Sequence, residues 1–391
     1  MSSYFYYIFC LLFIAGWWFG VFYQKVERRD ARPLSGPLLQ DKPHPFEKKR
    51  ELPIPWSTQE ELIAALGGDW QQLADLLLLW DEQAAYLQEL GLSNIGRIEG
   101  DRLLLAHHRA KRLARGDEEG TSSSPARYLP QTWASASFLL ALLPPTQIAA
   151  LPSGYRELQT WLPVPSRETL PHESSRLNSE LFSHQVELAF VAEYTSSSTL
   201  ETLKRQGVAL YRMSVPNTIE ELRSLLLEVG AAVHSEEKAQ LLDLLIEAAL
   251  LSLDNRKGWL SHRLGKTPFN RPLLLLDFSS WHLPAFSSFT AQWMARLGLP
   301  LTSVAQESYS LASASLEQLT AWDPDLLIIA TEPSRYCLVD EQLQRMPLAQ
   351  LTACLRGSYG LVDLAPQQEL SQYSLIAYQQ LIELLERLTE D

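Results

Sequence analysis

Short apolar runs alternate with amphipathic stretches from residue 126 to the end of the chain. The runs at 186–192 (VELAFVA), 273–277 (LLLLD) and 326–330 (LLIIA) predict buried β-strands, because each run is short and continuous. This alternation predicts α/β lobes, each with a mostly parallel sheet between two layers of helices. Further strands are predicted at 127–129, 208–213 and 360–363, and helices at 137–143, 199–206 and 375–388.

The alternation stops between residues 216 and 258, where a long helix is predicted. No Gly or Pro interrupts residues 231–257, and Glu236 and Glu237 are favourable in the first turn of a helix that follows Ser235. A helix over 235–258 is more than about 30 Å long, which is the span of a small domain. The chain is therefore predicted to form two three-layer α/β lobes, at 126–234 and 259–391, joined by this backbone helix.

Residues 57–115 predict a small, mainly helical module that precedes the lobes. Ser57 and Glu60 have the spacing of a capping box, and a second helix is predicted over 69–90. A short β-hairpin is predicted at 95–106, followed by the basic run HHRAKRLAR. Winged helices that bind DNA combine the same features, but we prefer a packing module whose Arg and Lys side chains are solvated. Residues 116–125 (GDEEGTSSSP) predict a linker.

The first 24 residues predict a transmembrane anchor. Residues 4–23 contain no charged side chain, and twenty helical residues span about 30 Å, the thickness of a hydrocarbon core. A cleaved signal peptide and a buried core helix are the alternatives. The lack of a basic start and of a small-residue cleavage site favours the anchor. Residues 25–56 are Pro-rich and predict an extended linker.

The acidic composition argues against a nucleic-acid-binding protein. Acidic residues outnumber basic ones 46 to 33, for a formal net charge of -13, and such a field repels phosphate backbones. Three cysteines cannot make a disulfide scaffold, and Cys337 and Cys354 form either a disulfide or two free thiols. No G-x-S-x-G, H-E-x-x-H, Walker A or G-x-G-x-x-G motif is present, so neither catalysis nor a bound metal or cofactor is predicted.

Five segments, taken in order, resemble a known family. They are RYLPQTWASASFLLALLP (127–144), IAALPSGYRE (148–157), LNSELFSHQVELAFVAEYTSSSTLETLKRQGVALYRM (177–213), RPLLLLDFSSWHLPAFSSFTAQWMARLGLP (271–300) and SLEQLTAWDPDLLIIA (315–330). Together they resemble the substrate-binding proteins of bacterial ABC importers for ferric siderophores, cobalamin and haem. The resemblance covers about residues 126–391. Val186 and Glu187 depart from the Pro-Asp pair usual in the first lobe, whereas Pro324 and Asp325 keep it in the second.

The resemblance implies a ligand cleft between the two lobes. Aromatic faces hold large flat or chelate ligands, and an arginine pairs with carboxylate or hydroxamate oxygens. The loops at Trp133 and Tyr194 resemble the hydroxamate-siderophore branch most, and cobalamin or haem is an alternative ligand. A core position for Trp133 and a surface position for Trp281 are the competing interpretations. The residues predicted to line the cleft are Trp133, Ser135, Tyr155, Arg156, Tyr194, Trp281 and His282.

The resemblance also implies docking to a permease dimer with its ATPase. In this family an acidic residue at the apex of each lobe meets an arginine pocket of the permease. Glu180 and Glu317 stand at matching positions, each before the apolar strand of its lobe. Two symmetric ion pairs of this kind fix the orientation of the binding protein on the permease and raise the rate at which the two proteins associate. The alternative is that both are ordinary first-turn glutamates stabilised by the helix dipole.

Two functions with opposite membrane topologies remain open. In the first, the chain is a binding protein anchored in the inner membrane, with its lobes facing the periplasm. In the second, it is a membrane-anchored sensor or regulator that uses the same binding lobes, and residues 57–115 carry the signal. The basic residues Lys25, Arg28, Arg29 and Arg32 directly after the span favour a cytoplasmic location, and therefore the second function.

Overall fold

The computed structural model describes most of the chain after the predicted anchor. The described residues are 52, 54–92, 96–116, 127–166, 168–170, 173–174, 177, 179–182, 185–264, 269–278, 281–285, 287–299 and 312–389. The predicted anchor at 1–24 and nearly all of both predicted linkers lie outside these ranges. No helix within the described ranges is long and apolar enough to cross a membrane.

Three helices precede the first lobe: α1 (Gln59–Leu66), α2 (Trp70–Glu89) and α3 (Gly100–Ala114). The capping box of α1 lies one residue later than predicted. The Thr58 hydroxyl accepts a hydrogen bond from the backbone N–H of Glu61, and the Thr58 N–H donates to the Glu61 carboxylate. Ser57 instead accepts a hydrogen bond from the Trp80 indole at 3.3 Å. The N-terminal region is thus helical, as the hydrophobic pattern predicts.

The β-hairpin predicted at 95–106 is wrong, because most of this stretch is the first part of α3. Leu103, Ala106, Ala110 and Leu113 are buried and recur at helical spacing, so they form one continuous apolar face. The basic run continues the same helix. The apolar run 103–105 fits a strand as well as a helix. Its helical structure is determined by the packing of α3 against α2.

The first lobe is built on a parallel three-stranded sheet of order β1-β2-β3. Its strands are β1 (Arg127–Pro130), β2 (Val186–Ala192) and β3 (Ala209–Met213). Its helices are α4 (Trp133–Leu142), α5 (Tyr155–Leu158), α6 (Ser179–Phe182), α7 (Ser197–Arg205) and α8 (Ile219–Ala232). A parallel bridge from Tyr128 to Ile148 adds one further pairing next to β1. Helices therefore follow strands as the alternation predicts.

A 29-residue helix, α9 (Glu236–Leu264), connects the lobes. It begins one residue after the predicted start and ends six residues after the predicted end. Arg223 of α8 pairs with Asp243 at 2.6 Å and with Glu247 at 3.0 Å, and Gly230 lies against Ala239, so α8 packs closely along α9. The predicted connecting helix is confirmed.

The second lobe contains a five-stranded mixed sheet of order β6-β5-β4-β7-β8, in which β4, β7 and β8 are parallel. Its strands are β4 (Pro272–Leu276), β5 (His282–Leu283), β6 (Ala312–Ser313), β7 (Leu326–Thr331) and β8 (Tyr359–Asp363). Its helices are α10 (Phe289–Arg296), α11 (Leu316–Trp322), α12 (Tyr336–Leu343), α13 (Thr352–Leu355), α14 (Leu364–Gln367) and α15 (Ser374–Leu388). The two-residue strands β5 and β6 are antiparallel additions that the apolar pattern does not predict.

The N-terminal helices share one hydrophobic core with α4, α9 and α15. Asn255 of α9 donates a hydrogen bond to the Gly96 carbonyl, and a Cβ at Gly96 would lie 2.4 Å from the Leu251 side chain. The Gln372 amide donates to the Leu66 carbonyl at 3.3 Å and to the Ser137 carbonyl at 3.0 Å. Residues 54–391 consequently form one compact unit.

Candidate functional site

A surface cavity of about 400 Å³ lies in the second lobe, beside the carboxyl ends of β4 and β7. We call it the lobe-2 cavity. Open α/β sheets bind ligands at this edge, because the loops that follow the strands converge there. The residues that line it are Phe278, Trp281, Leu316, Thr331, Arg335, Leu338, Val339, Gln342, Arg345, Met346, Pro347 and Leu348.

Two aromatic rings form the side of the cavity next to β4. Phe278 and Trp281 have ring centroids 5.8 Å apart. Asp277 and Trp281 both have positive φ, of 58° and 48°, which turns the chain sharply at the end of the strand. The Trp281 N–H donates to the Asp277 carbonyl, and the Trp281 carbonyl accepts from the Ala314 N–H, each at 2.9 Å. The backbone therefore holds Trp281 in an uncommon conformation that directs it into the cavity.

The opposite side of the cavity is apolar and solvent-accessible. Leu338 of α12 is 53% exposed and Met346 is 66% exposed, while Val339 is buried beneath them. Large apolar side chains at the surface are informative when they lie together in a concave site, since such sites bind apolar ligands. The cavity thus combines aromatic faces with an adaptable aliphatic wall.

Two arginines bring guanidinium groups to the lining of the cavity. Arg335 lies 3.5 Å from Glu332, and Arg345 pairs with Glu341, but all four side chains are largely exposed. Exposed pairs of this kind contribute little to stability and exchange readily. Either guanidinium can therefore turn to a carboxylate, hydroxamate or phosphate group of a ligand, with bidentate geometry.

A polar network fixes α12 behind the cavity. The Tyr336 hydroxyl donates to Asp363 at the end of β8, and the Gln380 amide of α15 donates to the other oxygen of Asp363 at 3.0 Å. Burial and the neighbouring Asp363 carboxylate raise the pKa of Tyr336. Tyr336 therefore remains a neutral hydrogen-bond donor, which keeps the first turn of α12 and the adjacent Arg335 in place.

The first lobe places Ser135 and Tyr155 in the core. Ser135 is 0% exposed and forms the capping box of α4 with Thr132, and Tyr155 is 1% exposed with its hydroxyl 2.9 Å from Ser137. Burial raises the pKa of Tyr155 well above its ordinary value. The structure therefore contradicts the prediction that Ser135 and Tyr155 contact a ligand, because both side chains are buried.

The other three candidate residues of lobe 1 differ in how far their side chains are exposed. Trp133 begins α4, is half-buried and packs edge-on against Tyr155 with a centroid distance of 6.4 Å. Arg156 is half-buried and donates to the carbonyls of Pro165 and Leu170, so it holds the loop after α5. Tyr194 follows β2 and is 73% exposed. Tyr194 is the one of the three with a largely free aromatic face.

Trp281 lines the lobe-2 cavity, but His282 lies in β5 between β4 and β6, outside the residues that line the cavity. Glu317 is exposed in the first turn of α11, where hydrogen bonds from its own backbone N–H and from the Ser315 hydroxyl lower its pKa. The backbone of Glu180 lies in α6, and its side chain is outside the described part of the structure. Trp281 is thus the predicted ligand-binding residue that the cavity contains.

The hydrophobic pattern alone does not identify the wall of the cavity that α12 and the segment after it form. The stretch PSRYCLVDEQLQRMP begins two residues after the end of β7, and that position after a parallel strand is the signal that identifies it. Cys337 and Cys354 are free thiols, exposed and half-buried respectively. The described residues include no cluster of three or more potential metal ligands. The side chains that line the cavity are mainly aromatic, aliphatic and guanidinium groups.

The two lobes contact each other beside α14. The Gln159 amide of lobe 1 donates to the Glu369 carboxylate of lobe 2 at 3.1 Å, and the Trp161 and Tyr373 rings meet edge-on at 5.8 Å. Glu369 is 4% exposed, and burial raises its pKa, opposed in part by hydrogen bonds from Ser371 and Gln159. This interface joins the segment that follows α5 in lobe 1 to the segment that follows α14 in lobe 2.

No family model and no curated protein matches the chain. Solved structures do match it. The siderophore-binding protein FhuD of Vibrio cholerae with bound Fe3+–Desferal has a TM-score of 0.54 at 15% identity, covering 68% of this chain and 100% of that one. The periplasmic haem-binding protein HutB of Vibrio cholerae has a TM-score of 0.52 at 19% identity, covering 67% and 99%. The haem-binding protein RhuT of a Roseiflexus species has a TM-score of 0.52 at 16% identity, covering 68% and 99%.

These similarities establish the class of fold. The two lobes and the connecting helix have the architecture of these solved siderophore- and haem-binding proteins. The three proteins named above are binding proteins, and each is covered almost completely. About a third of this chain lies outside the shared fold.

Proposed function

We propose that the chain is the substrate-binding component of an ABC importer, which captures a ferric siderophore or a related metal chelate between its lobes and delivers it to a permease dimer with its ATPase. Residues 1–24 anchor the protein in the inner membrane, and the lobes face the periplasm. The observation that carries this proposal is the lobe-2 cavity, which lies at the ligand-binding edge of the sheet in a fold shared with siderophore- and haem-binding proteins.

The lining of the cavity suits a chelate or macrocycle of partly apolar, partly anionic character. Trp281 and Phe278 offer ring faces, Leu338 and Met346 offer aliphatic surface, and Arg335 offers a guanidinium. A volume of about 400 Å³ is at the lower end of ligand pockets, so the cavity would hold one side of a large ligand. Tyr194, exposed after β2, is the residue of lobe 1 that we expect to contact the other side.

The proposal is tested by titrating the full chain in detergent with hydroxamate and catecholate ferric siderophores, cobalamin and haem, while tryptophan fluorescence is recorded. We expect saturable quenching with one of these ligands, and weaker quenching in the Trp281→Phe variant. Trp322→Phe is the matched control, because Trp322 packs against the lobe-2 core outside the cavity lining. If none of the ligands binds, the importer function is wrong.

The sensor or regulator is the second candidate, and the N-terminal helices favour it. Gln59 of α1 hydrogen-bonds to Glu383, Gln380 donates to Gln59 at 3.2 Å, and Gln380 also reaches Asp363, which holds Tyr336 beside the cavity. A continuous set of hydrogen bonds thus joins the cavity wall to α1. A topology reporter fused after Asp391 separates the candidates: periplasmic reporter activity supports the importer, and cytoplasmic activity supports the sensor.

A further inference from the structure

The outer face of α3 carries exposed leucines beside basic side chains. Leu104 and Leu105 are 52% and 53% exposed, although they lie in the middle of the chain's N-terminal helical region. His108 and Arg115 are also exposed on this side of the helix. At 100° per residue, Leu104, Leu105, His108, Lys111 and Arg115 fall on one face, opposite the buried residues Leu103, Ala106, Ala110 and Leu113.

The cations of α3 divide into two groups. Arg102 pairs with Glu247 at 3.1 Å and Arg112 pairs with Glu237, and both pairs attach α3 to α9. Arg109, Lys111 and Arg115 form no ion pair with any residue in the described ranges. These three are cations of α3 that no carboxylate in the described ranges neutralises, on a chain whose net charge is -13.

We propose that this face of α3 lies on the surface of an anionic lipid bilayer. An amphipathic helix with aliphatic residues on one face and cations beside them inserts its apolar side chains among lipid headgroups. Lys and Arg near the surface are attracted by anionic lipids, whereas the acidic remainder of the chain is repelled, so the charge distribution orients the molecule with α3 toward the bilayer.

The chain outside the structure supports a lipid partner over a protein or nucleic acid. The uncharged residues 4–23 and the Pro-rich segment that follows them precede α1 directly. The inference therefore rests on the membrane anchor of the proposed function. A tether of this length keeps the helical region at an effective concentration of about millimolar near the bilayer, so a weak helix–lipid contact is sufficient.

Hydroxyl-radical footprinting of the full chain tests the proposal. Trypsin releases LLLAHHR (residues 103–109), which contains Leu104, Leu105 and His108, and MPLAQLTACLR (346–356), which contains Leu355, exposed by 73% in lobe 2. The protein is reconstituted in phosphatidylcholine vesicles with or without phosphatidylglycerol. We expect oxidation of peptide 103–109, relative to peptide 346–356, to fall about threefold or more when the anionic lipid is present at low salt.

Charge variants give the control. Lys111→Gln with Arg115→Gln should restore most of the lost oxidation, while Lys204→Gln with Arg205→Gln, which removes two exposed cations of α7, should leave the protection unchanged. Equal oxidation of peptide 103–109 in both lipids overturns the proposal, as does protection that survives the Lys111 and Arg115 changes. Retention of the protein on neutral vesicles after an alkaline wash tests the anchor separately. If the protein is washed off neutral vesicles but peptide 103–109 is protected on anionic vesicles, the anchor is wrong and the docking of α3 is still supported.

Discussion

Individual side chains in this protein separate into those held by the core and those presented to a ligand. Tyr155 and Trp281 are both aromatic candidates for the binding site, yet Tyr155 is 1% exposed at the start of α5 and Trp281 faces a cavity. The difference arises from neighbours: Ser137 and Trp133 enclose the Tyr155 ring, whereas the positive φ of Trp281 turns its side chain outward. Substitutions at the two positions should therefore have opposite consequences.

We expect Trp281→Ala to weaken ligand binding by about tenfold to a hundredfold, since a ring of this size contributes about 1–3 kcal/mol at a partly desolvated surface. Its effect on the melting temperature should be small. Tyr155→Ala should instead lower the free energy of unfolding by about 3–5 kcal/mol, because it leaves a cavity and an unpaired Ser137 hydroxyl in the core. Titration and thermal unfolding of both variants measure this contrast. The reverse pattern would place Tyr155 in the binding site.

Glu369 predicts a dependence of stability on pH. Burial raises its pKa in the folded protein above the ordinary value of 4.5, so the folded state binds the proton more tightly than the unfolded state. The resulting contribution is fully present below pH 4.5 and is lost as the pH rises through the raised pKa. Glu369→Gln removes this titration. Denaturant unfolding of both proteins across that pH range should show a difference in stability that changes with pH. A constant difference would mean that Glu369 does not titrate in this range.

At the level of elements, the contact between α8 and α9 depends on Gly230. A Cβ at this position would lie 2.2 Å from the Ala239 Cβ, although alanine is a better helix former than glycine. We expect Gly230→Ala to destabilise the protein by about 1–3 kcal/mol, because overpacking outweighs the gain in helix propensity. The double variant with Ala239→Gly should recover part of this loss in denaturant unfolding. A stabilised single variant would show that the two helices separate easily.

For the whole molecule, the docking of two lobes to a symmetric permease is the main prediction. We expect Glu180→Arg with Glu317→Arg to abolish ligand uptake, because each reversal would place like charges at the interface. Ligand affinity of the purified protein should stay within about threefold, since Glu317 is exposed on α11 and outside the lobe-2 cavity lining. Uptake by cells and ligand titration are compared directly. Normal uptake would show that Glu180 and Glu317 do not dock to a permease and act only as first-turn glutamates that stabilise their helices.

The sequence by itself determined the main parallel strands, the connecting helix and the α/β class of the fold. The continuous apolar runs of β2, β4 and β7 agree with the structure to within one residue at each end, because fully buried parallel strands need such runs. Helix α9 was equally clear, since no Gly or Pro interrupts most of it. These features depend on local composition and periodicity, which are visible in a single sequence.

Only the tertiary structure decided which of the candidate side chains are accessible. Leu103–Leu105 suit a strand or a helix, and packing against α2 makes them helical. Trp281 lines a cavity whose other wall is formed by α12, over fifty residues later in the chain. Ser135 is buried because its side chain takes part in the capping box of α4. Burial and partner choice depend on contacts between distant segments, and spacing along the chain does not encode those contacts.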